Sequence, residues 1–107
     1  MTEEIYDLII IGGGSAALSA GIYAGRAMMD TLIIEKDKIG GQVTTTSEIV
    51  NYPAIRHTTG PELMEEMRSQ AQDFGVAFTN DEIIDVDFSQ TIKTVQSASQ
   101  TYQAYAV

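Results

Sequence analysis

A chain of 107 residues has room for one domain and one modest core, so a second catalytic domain within it is excluded. Its 44% hydrophobic and 20% charged residues are ordinary for a folded protein, and a formal net charge of −9 repels nucleic acid and anionic lipid, so any phosphate-bearing ligand must be held by local dipoles and backbone N–H groups. The absence of cysteine excludes a disulfide framework, a thiolate metal site and a redox-active dithiol inside these residues.

The start, Met1-Thr-Glu-Glu, is acidic where a secretory signal is basic, and the longest apolar stretch, Leu8 to Ile11, is too short to span a bilayer. A cytoplasmic, membrane-free protein is expected. Leu8-Ile-Ile-Ile within residues 5–11 is a short β-branched run bounded by glycines, the pattern of a strand buried on both faces of a parallel sheet. Gly12-Gly-Gly-Ser-Ala-Ala follows at once. From Leu18 to Ala27, small residues recur three or four apart at Ala17, Ala20, Gly21, Ala24 and Ala27, as in a helix lying very close to a sheet. Thr31-Leu-Ile-Ile-Glu35 is a second apolar run, completing a strand, tight turn, helix, strand unit of the right-handed βαβ kind.

Residues 36–58 show no sustained period but carry turn formers at Gly40-Gly41, Asn51 and Pro53, and a loop of this length in a compact domain is usually functional. Thr59-Gly-Pro-Glu62 has the form of a capping box with proline in the first turn. Leu63, Met67, Ala71 and Phe74 then line one helical face as ordinary core, and Gly75 is placed to stop the helix in a left-handed conformation. Val76-Ala-Phe, Ile83-Ile-Asp-Val, Thr91 to Val95 and Tyr102 to Val107 read as one strand continuing the sheet and then a β-meander. The last of these, ending on Ala104-Tyr-Ala-Val107, breaks off without a cap or polar tail, as a truncated strand would.

Gly12-x-Gly14-x-x-Ala17, directly after a strand and opening a helix, is a dinucleotide fingerprint. Gly12 makes the tight turn, Gly14 lacks the Cβ that would block a pyrophosphate, and Ala17 is small enough for helix and strand to pack. Backbone N–H groups near Ser15 and Ala16 face the phosphates. Glu35, eighteen residues after Ala17 at the end of the second strand, accepts hydrogen bonds from ribose hydroxyls and repels a 2′-phosphate, favouring FAD or NAD over NADP.

Beyond the fingerprint, Ile39-Gly-Gly-Gln-Val-Thr-Thr-Thr46, Glu48-Ile-Val-Asn-Tyr-Pro53 and Thr59-Gly-Pro-Glu-Leu-Met64 resemble the thioredoxin reductases of the pyridine nucleotide-disulfide oxidoreductase class II family, and the resemblance runs over essentially the whole chain. It implies an α/β, FAD/NAD(P)-binding Rossmann-like three-layer fold with a parallel sheet and β-meander, of which residues 1–107 form the N-terminal portion of one FAD-binding domain. It implies a flavoprotein in which Gly12, Gly14, Ser15 and Ala16 touch the pyrophosphate, Glu35 and Lys36 the adenosine ribose, Gly41, Gln42, Thr46 and Asn51 the flavin half, and Glu82-Ile83 the adenine. Gln42 and Asn51 either tune the flavin by hydrogen bonding or anchor the loop. Three positions depart from the pattern: Ser15 stands where proline is usual, Ala17 where glycine is usual, and Ala54 where glycine commonly follows the Asn-Tyr-Pro element.

The resemblance implies a parent that is an NADPH-dependent thioredoxin-disulfide reductase; that family's NADPH domain, its Cys-x-x-C dithiol and its later Gly-Asp flavin segment fall outside these residues, so this chain alone is expected to bind without catalysing. Two other readings stay open: a cofactor-free fragment or engineered scaffold that self-associates through an unprotected Tyr102 to Val107 strand edge, and a binder of a smaller adenine nucleotide such as NAD, ADP or AMP. His57, the single histidine, sits beside Arg56 as an exposed loop residue in preference to a catalytic base. Asp81, Glu82, Asp85 and Asp87 lack the spacing of a calcium loop, and no metal is expected.

Overall fold

The β-branched run after the acidic start forms strand β1 (Ile5–Ile11), and the small-residue stretch forms helix α1 (Ser15–Arg26), which begins three residues before the Leu18 at which the small-residue period becomes regular. Strand β2 (Thr31–Glu35) returns beside β1. A computed structural model describes residues 4–36 and 53–107. Helix α2 (Gly60–Asp73) leads into β3 (Ala77–Asn80), and β4 (Ile83–Asp87), β5 (Lys93–Ser97) and β6 (Thr101–Ala106) complete the chain.

The six strands form one mixed sheet in the order β3-β2-β1-β6-β5-β4. Strands β3, β2, β1 and β6 are mutually parallel, with Ile9 opposite Leu32, Ile33 opposite Phe78 and Tyr6 opposite Ala104, whereas β5 runs antiparallel to both β6 and β4. The expected parallel sheet with a meander is therefore present. The expected open edge on the final strand is not: β6 lies between β1 and β5, and the sheet edges are β3 and β4. A meander that returns its last strand to the middle of the sheet leaves no unpaired ladder there, so the ground for self-association through Tyr102 to Val107 is removed.

Period-two alternation in β1 and β2 divides the interior into two cores. Ile33 and the half-buried Ile10 face the helices with Leu18, Leu63, Met64, Met67, Ala71 and Val76. Ile9, Leu32 and Ile34 face the other way, packing with Val95 and Ala104 and against Ile83, Val86 and Tyr102. The helices thus cover one face of the sheet, while Ile83 and Val86 of β4 pack against the second core on the other.

The helices approach the sheet and each other closely because α1 carries glycine where it touches its neighbours. A Cβ on Gly21 would sit 2.8 Å from Ile33 Cδ1, and one on Gly25 2.7 Å from Phe74 Cβ. Ala17, where the family prefers glycine, is only half-buried, and the tight contacts fall at Gly21 and Gly25 instead. Phe74, expected on the core face of α2, is its C-cap and is 42% exposed.

Candidate nucleotide-binding site

Strand β1 ends in a turn that only glycine makes cheaply. Gly12 has φ +124 and donates its N–H to the Ile34 carbonyl at 2.8 Å, fastening the exit of β1 to β2, and open space surrounds its missing Cβ; its requirement is conformational, not steric. Gly14 is the N-cap of α1, extended at φ −79 and ψ −173, and its carbonyl accepts the Leu18 N–H at 3.0 Å. No side chain caps this terminus and no acidic residue lies in its first turn. Nothing among the described residues stands within 4 Å of where a Gly14 Cβ would be. The result is a helix amino terminus whose first-turn N–H groups, on and around Ser15 and Ala16, lack intrahelical acceptors and carry the positive end of the helix dipole.

The strand order places this terminus at a crevice. The chain runs from β1 outward through β2 to β3 and later returns to the opposite side of β1 as β6, so the direction of winding reverses at β1, and ligands of open α/β sheets bind beyond the carboxyl ends of the strands at such a point.

Glu35, at the end of β2, lies against the turn. A Cβ on Gly13 would fall 2.8 Å from Glu35 Oε2 and 2.9 Å from its Cβ and Cγ. Gly13 is thus the glycine that lets the carboxylate lie against the turn between β1 and α1, a role the fingerprint does not signal because position 13 is an unspecified one in the motif; the run of three glycines is its only trace in the sequence. Glu35 Oε1 accepts the Lys36 N–H at 2.8 Å, and its carbonyl accepts the Asp81 N–H at 3.1 Å and Asn80 Nδ2 at 3.3 Å. Lys36 Nζ and Glu82 Oε2 stand 4.0 Å apart with both side chains mostly exposed, a contact of little energetic weight.

Of the residues expected at the site, the fold therefore gathers Gly12, Gly14, Ser15, Ala16, Glu35, Lys36 and Glu82 at one end of the parallel strands. Ile83 begins β4 with its side chain packed against the second core. Gly41, Gln42, Thr46 and Asn51 lie outside the described residues. Ala54, at the third departure from the family pattern, has φ +68, the conformation for which glycine is favoured.

The connector between β3 and β4 is held from the meander. Tyr102 of β6 donates its hydroxyl to Asp81 Oδ2 at 2.8 Å and accepts Gln100 Nε2 at 2.7 Å, while Asp81 Oδ1 accepts the Glu82 N–H at 2.9 Å. Hydrogen bonding from Ser97 and then Tyr102 keeps the Asp81 carboxyl below the usual carboxylate range, and burial together with the Asp81 carboxylate pushes the Tyr102 phenol up to about 12.

Asp81, Glu82, Asp85 and Asp87 do not converge: among the described residues no three His, Asp or Glu side chains come together as a metal-ligand set. His57 is exposed and lines a groove between α1 and α2 with Tyr23, Arg26 and Glu66, none of them residues of the nucleotide site. No helix among the described residues is long and apolar enough to cross a membrane.

Comparison with known proteins agrees with this arrangement. The family model for the pyridine nucleotide-disulphide oxidoreductases matches residues 6–107. The thioredoxin reductase of Peptoclostridium acidaminophilum is 45% identical over 106 residues, covering 98% of this chain and 34% of that protein. The thioredoxin reductase of Listeria monocytogenes is 43% identical over 105 residues, covering 98% of this chain and 33% of that protein. The crystal structure of thioredoxin reductase from Streptococcus pyogenes matches with a TM-score of 0.92 at 33% identity, over 97% of this chain and 34% of that one. The chain spans about a third of the length of these relatives. With the glycine turn, the acid at the end of β2, the mixed six-stranded sheet and a family match over nearly every residue, the chain belongs to the pyridine nucleotide-disulphide oxidoreductase family.

Proposed function

We propose that these residues form the adenosine- and pyrophosphate-binding part of an FAD-binding module in a reductase of the thioredoxin reductase kind. The observation that carries the reading is the amino terminus of α1, which is uncapped, free of first-turn acid and open where a Gly14 Cβ would point, at the switch point of the sheet. In a protein of net charge −9, a pyrophosphate is held at such a place by oriented N–H groups and not by the overall field.

In this reading the first-turn N–H groups at Ser15 and Ala16 bind the pyrophosphate, Gly12 and Gly14 give it access, Glu35 accepts hydrogen bonds from the ribose with Lys36 beside it, and the backbone at Glu82 and Ile83 borders the adenine. Gly41, Gln42, Thr46 and Asn51 serve the flavin half. When bound, FAD supplies the electron transfer by which reductases of this kind pass reducing equivalents from NADPH to a dithiol, and these 107 residues, having no cysteine, contribute binding and orientation to it and not the dithiol.

Titration of the purified chain with FAD by flavin fluorescence and calorimetry, with ADP as competitor, tests the reading. Saturable FAD binding displaced by ADP supports it. FAD and ADP binding with equal affinity restricts the module to the adenosine half, and binding of neither removes the nucleotide function from these residues.

A further inference from the structure

Glu35 stands at the centre of the site, its Oε1 accepting the Lys36 N–H at 2.8 Å. Its carbonyl is held by the Asp81 N–H at 3.1 Å, and its side chain is pressed against Gly13 with no room for even a methyl group between them. Asp81 is in turn gripped from the far half of the sheet: Tyr102 in β6, twenty-one positions along the chain, donates to Asp81 Oδ2 at 2.8 Å and is itself oriented by Gln100 Nε2 at 2.7 Å. A continuous line of hydrogen bonds therefore runs from the meander through the β3–β4 connector to the end of β2. The connector is the same segment whose backbone borders the adenine in the proposed function.

We propose that Tyr102 is a positioning residue for nucleotide binding, acting through Asp81 to set the Glu35 carboxylate and the residue 81–83 connector against the ribose and adenine; this rests on the nucleotide-binding reading above. A carboxylate reads ribose hydroxyls only when held at hydrogen-bond distance, and displacement by a fraction of an ångström forfeits the bond while leaving pyrophosphate contacts at α1 intact. Tyr102 thereby controls discrimination for the ribose more than it controls overall affinity. Its side chain packs against the second core, so removing only the hydroxyl leaves that core filled.

The test compares ADP with 2′-deoxy-ADP and 3′-deoxy-ADP as calorimetric probes of the full chain. The unmodified chain is expected to prefer ADP over at least one deoxy probe by about tenfold or more, the worth of a hydrogen bond to a charged group. In Tyr102→Phe that preference is expected to narrow to about threefold or less, through loss of ADP affinity with little change in affinity for the deoxy probe, while the circular-dichroism spectrum is retained. Asp81→Ala, which removes the acceptor of Tyr102 together with the contacts from Ser97 and the Glu82 N–H, gives at least the same narrowing, and adding Tyr102→Phe to it changes nothing further because the acceptor is already gone. Tyr102→Phe and Asp81→Ala binding ADP with discrimination intact, or losing affinity for all three probes equally, would overturn the positioning role alone. Failure of the unmodified chain to bind ADP would overturn the nucleotide reading, and this inference with it.

Discussion

Helix α2 closes its own amino terminus and α1 does not. At α2, the Thr59 hydroxyl accepts the Glu62 N–H at 3.2 Å and donates to Glu62 Oε1 at 3.0 Å, Pro61 occupies a position that needs no N–H, and Glu62 places a negative charge in the first turn. At α1 the N-cap is Gly14, which has no side chain to offer, and the first turn, from Ser15 to Leu18, carries no acid. Two helices of similar length in one domain thus spend their amino-terminal dipoles differently. At α2 the protein supplies acceptors from its own side chains; at α1 no side chain among the described residues does so, which leaves the donors for a ligand or water.

This comparison breaks if capping α1 does not abolish binding. Gly14→Asp places a carboxylate at the N-cap, in a backbone conformation (φ −79) open to any residue and in space clear of neighbours. It is expected to stabilise the helix by a few tenths of a kcal/mol, about the margin by which aspartate exceeds glycine as an N-cap, while occupying the phosphate site with like charge. The measured outcome is opposite in sign on two axes: an unchanged or slightly raised Tm, and a loss of ADP and FAD affinity of about a hundredfold or more, the scale of several charge-assisted hydrogen bonds. Retained affinity in a folded Gly14→Asp chain would remove α1 from the site.

The converse substitution belongs at α2. Thr59→Ala removes a cap hydroxyl and costs about 1 kcal/mol, seen as a Tm lower by roughly 4–8 °C for a domain near this size. Affinity for ADP measured well below the new Tm is expected to stay within about twofold of the original, since less than half a kcal/mol of binding energy rides on it. A parallel fall in affinity would mean that the two termini are not separate in function.

Much of this contrast is legible from the residues alone, because caps and glycine turns are local. Thr59 and Glu62 stand three apart, Gly12 and Gly14 follow a β-branched run, and Thr31–Glu35 emerges with its boundaries as read. What escapes sequence reasoning is set by contacts between segments far apart in the chain. Gly13 matters through Glu35, which β2 carries to it from twenty-two positions away. Tyr102 reads as one more aromatic of a terminal strand, and its partner Asp81 as one more acid of a solvated turn, until the meander brings them to 2.8 Å. The placing of β6 between β1 and β5 is likewise non-local: parallel pairing across a separation of nearly a hundred residues leaves no periodic mark on either strand, so a buried strand reads as an edge.

At their carboxyl ends the helices share one geometry and differ in the residue that adopts it. In α2, Gly75 at φ +89 donates to the Gln72 carbonyl at 2.9 Å and Val76 to Ala71 at 3.1 Å; in α1, Met28 at φ +63 donates to Gly25 at 2.9 Å and Met29 to Ala24 at 3.1 Å. Both are left-handed caps of the Schellman kind. Glycine enters that conformation freely, whereas a residue with a Cβ meets a cost of roughly 1–2 kcal/mol, partly offset by the 0.5–1 kcal/mol of extra chain entropy that glycine loses on folding. Met28→Gly is therefore expected to raise stability by about 0.5–1 kcal/mol, and Gly75→Ala to lower it by a similar amount, as read from the midpoints of urea unfolding. The Met28 side chain is 92% exposed, so its removal forfeits almost no packing that would blunt the gain. Neither substitution touches the turn at Gly12 to Gly14, and ADP affinity is expected to hold in both. If Met28→Gly instead destabilises the chain, the methionine is held by contacts that outweigh its strain, and the two carboxyl termini differ in more than the residue at the cap.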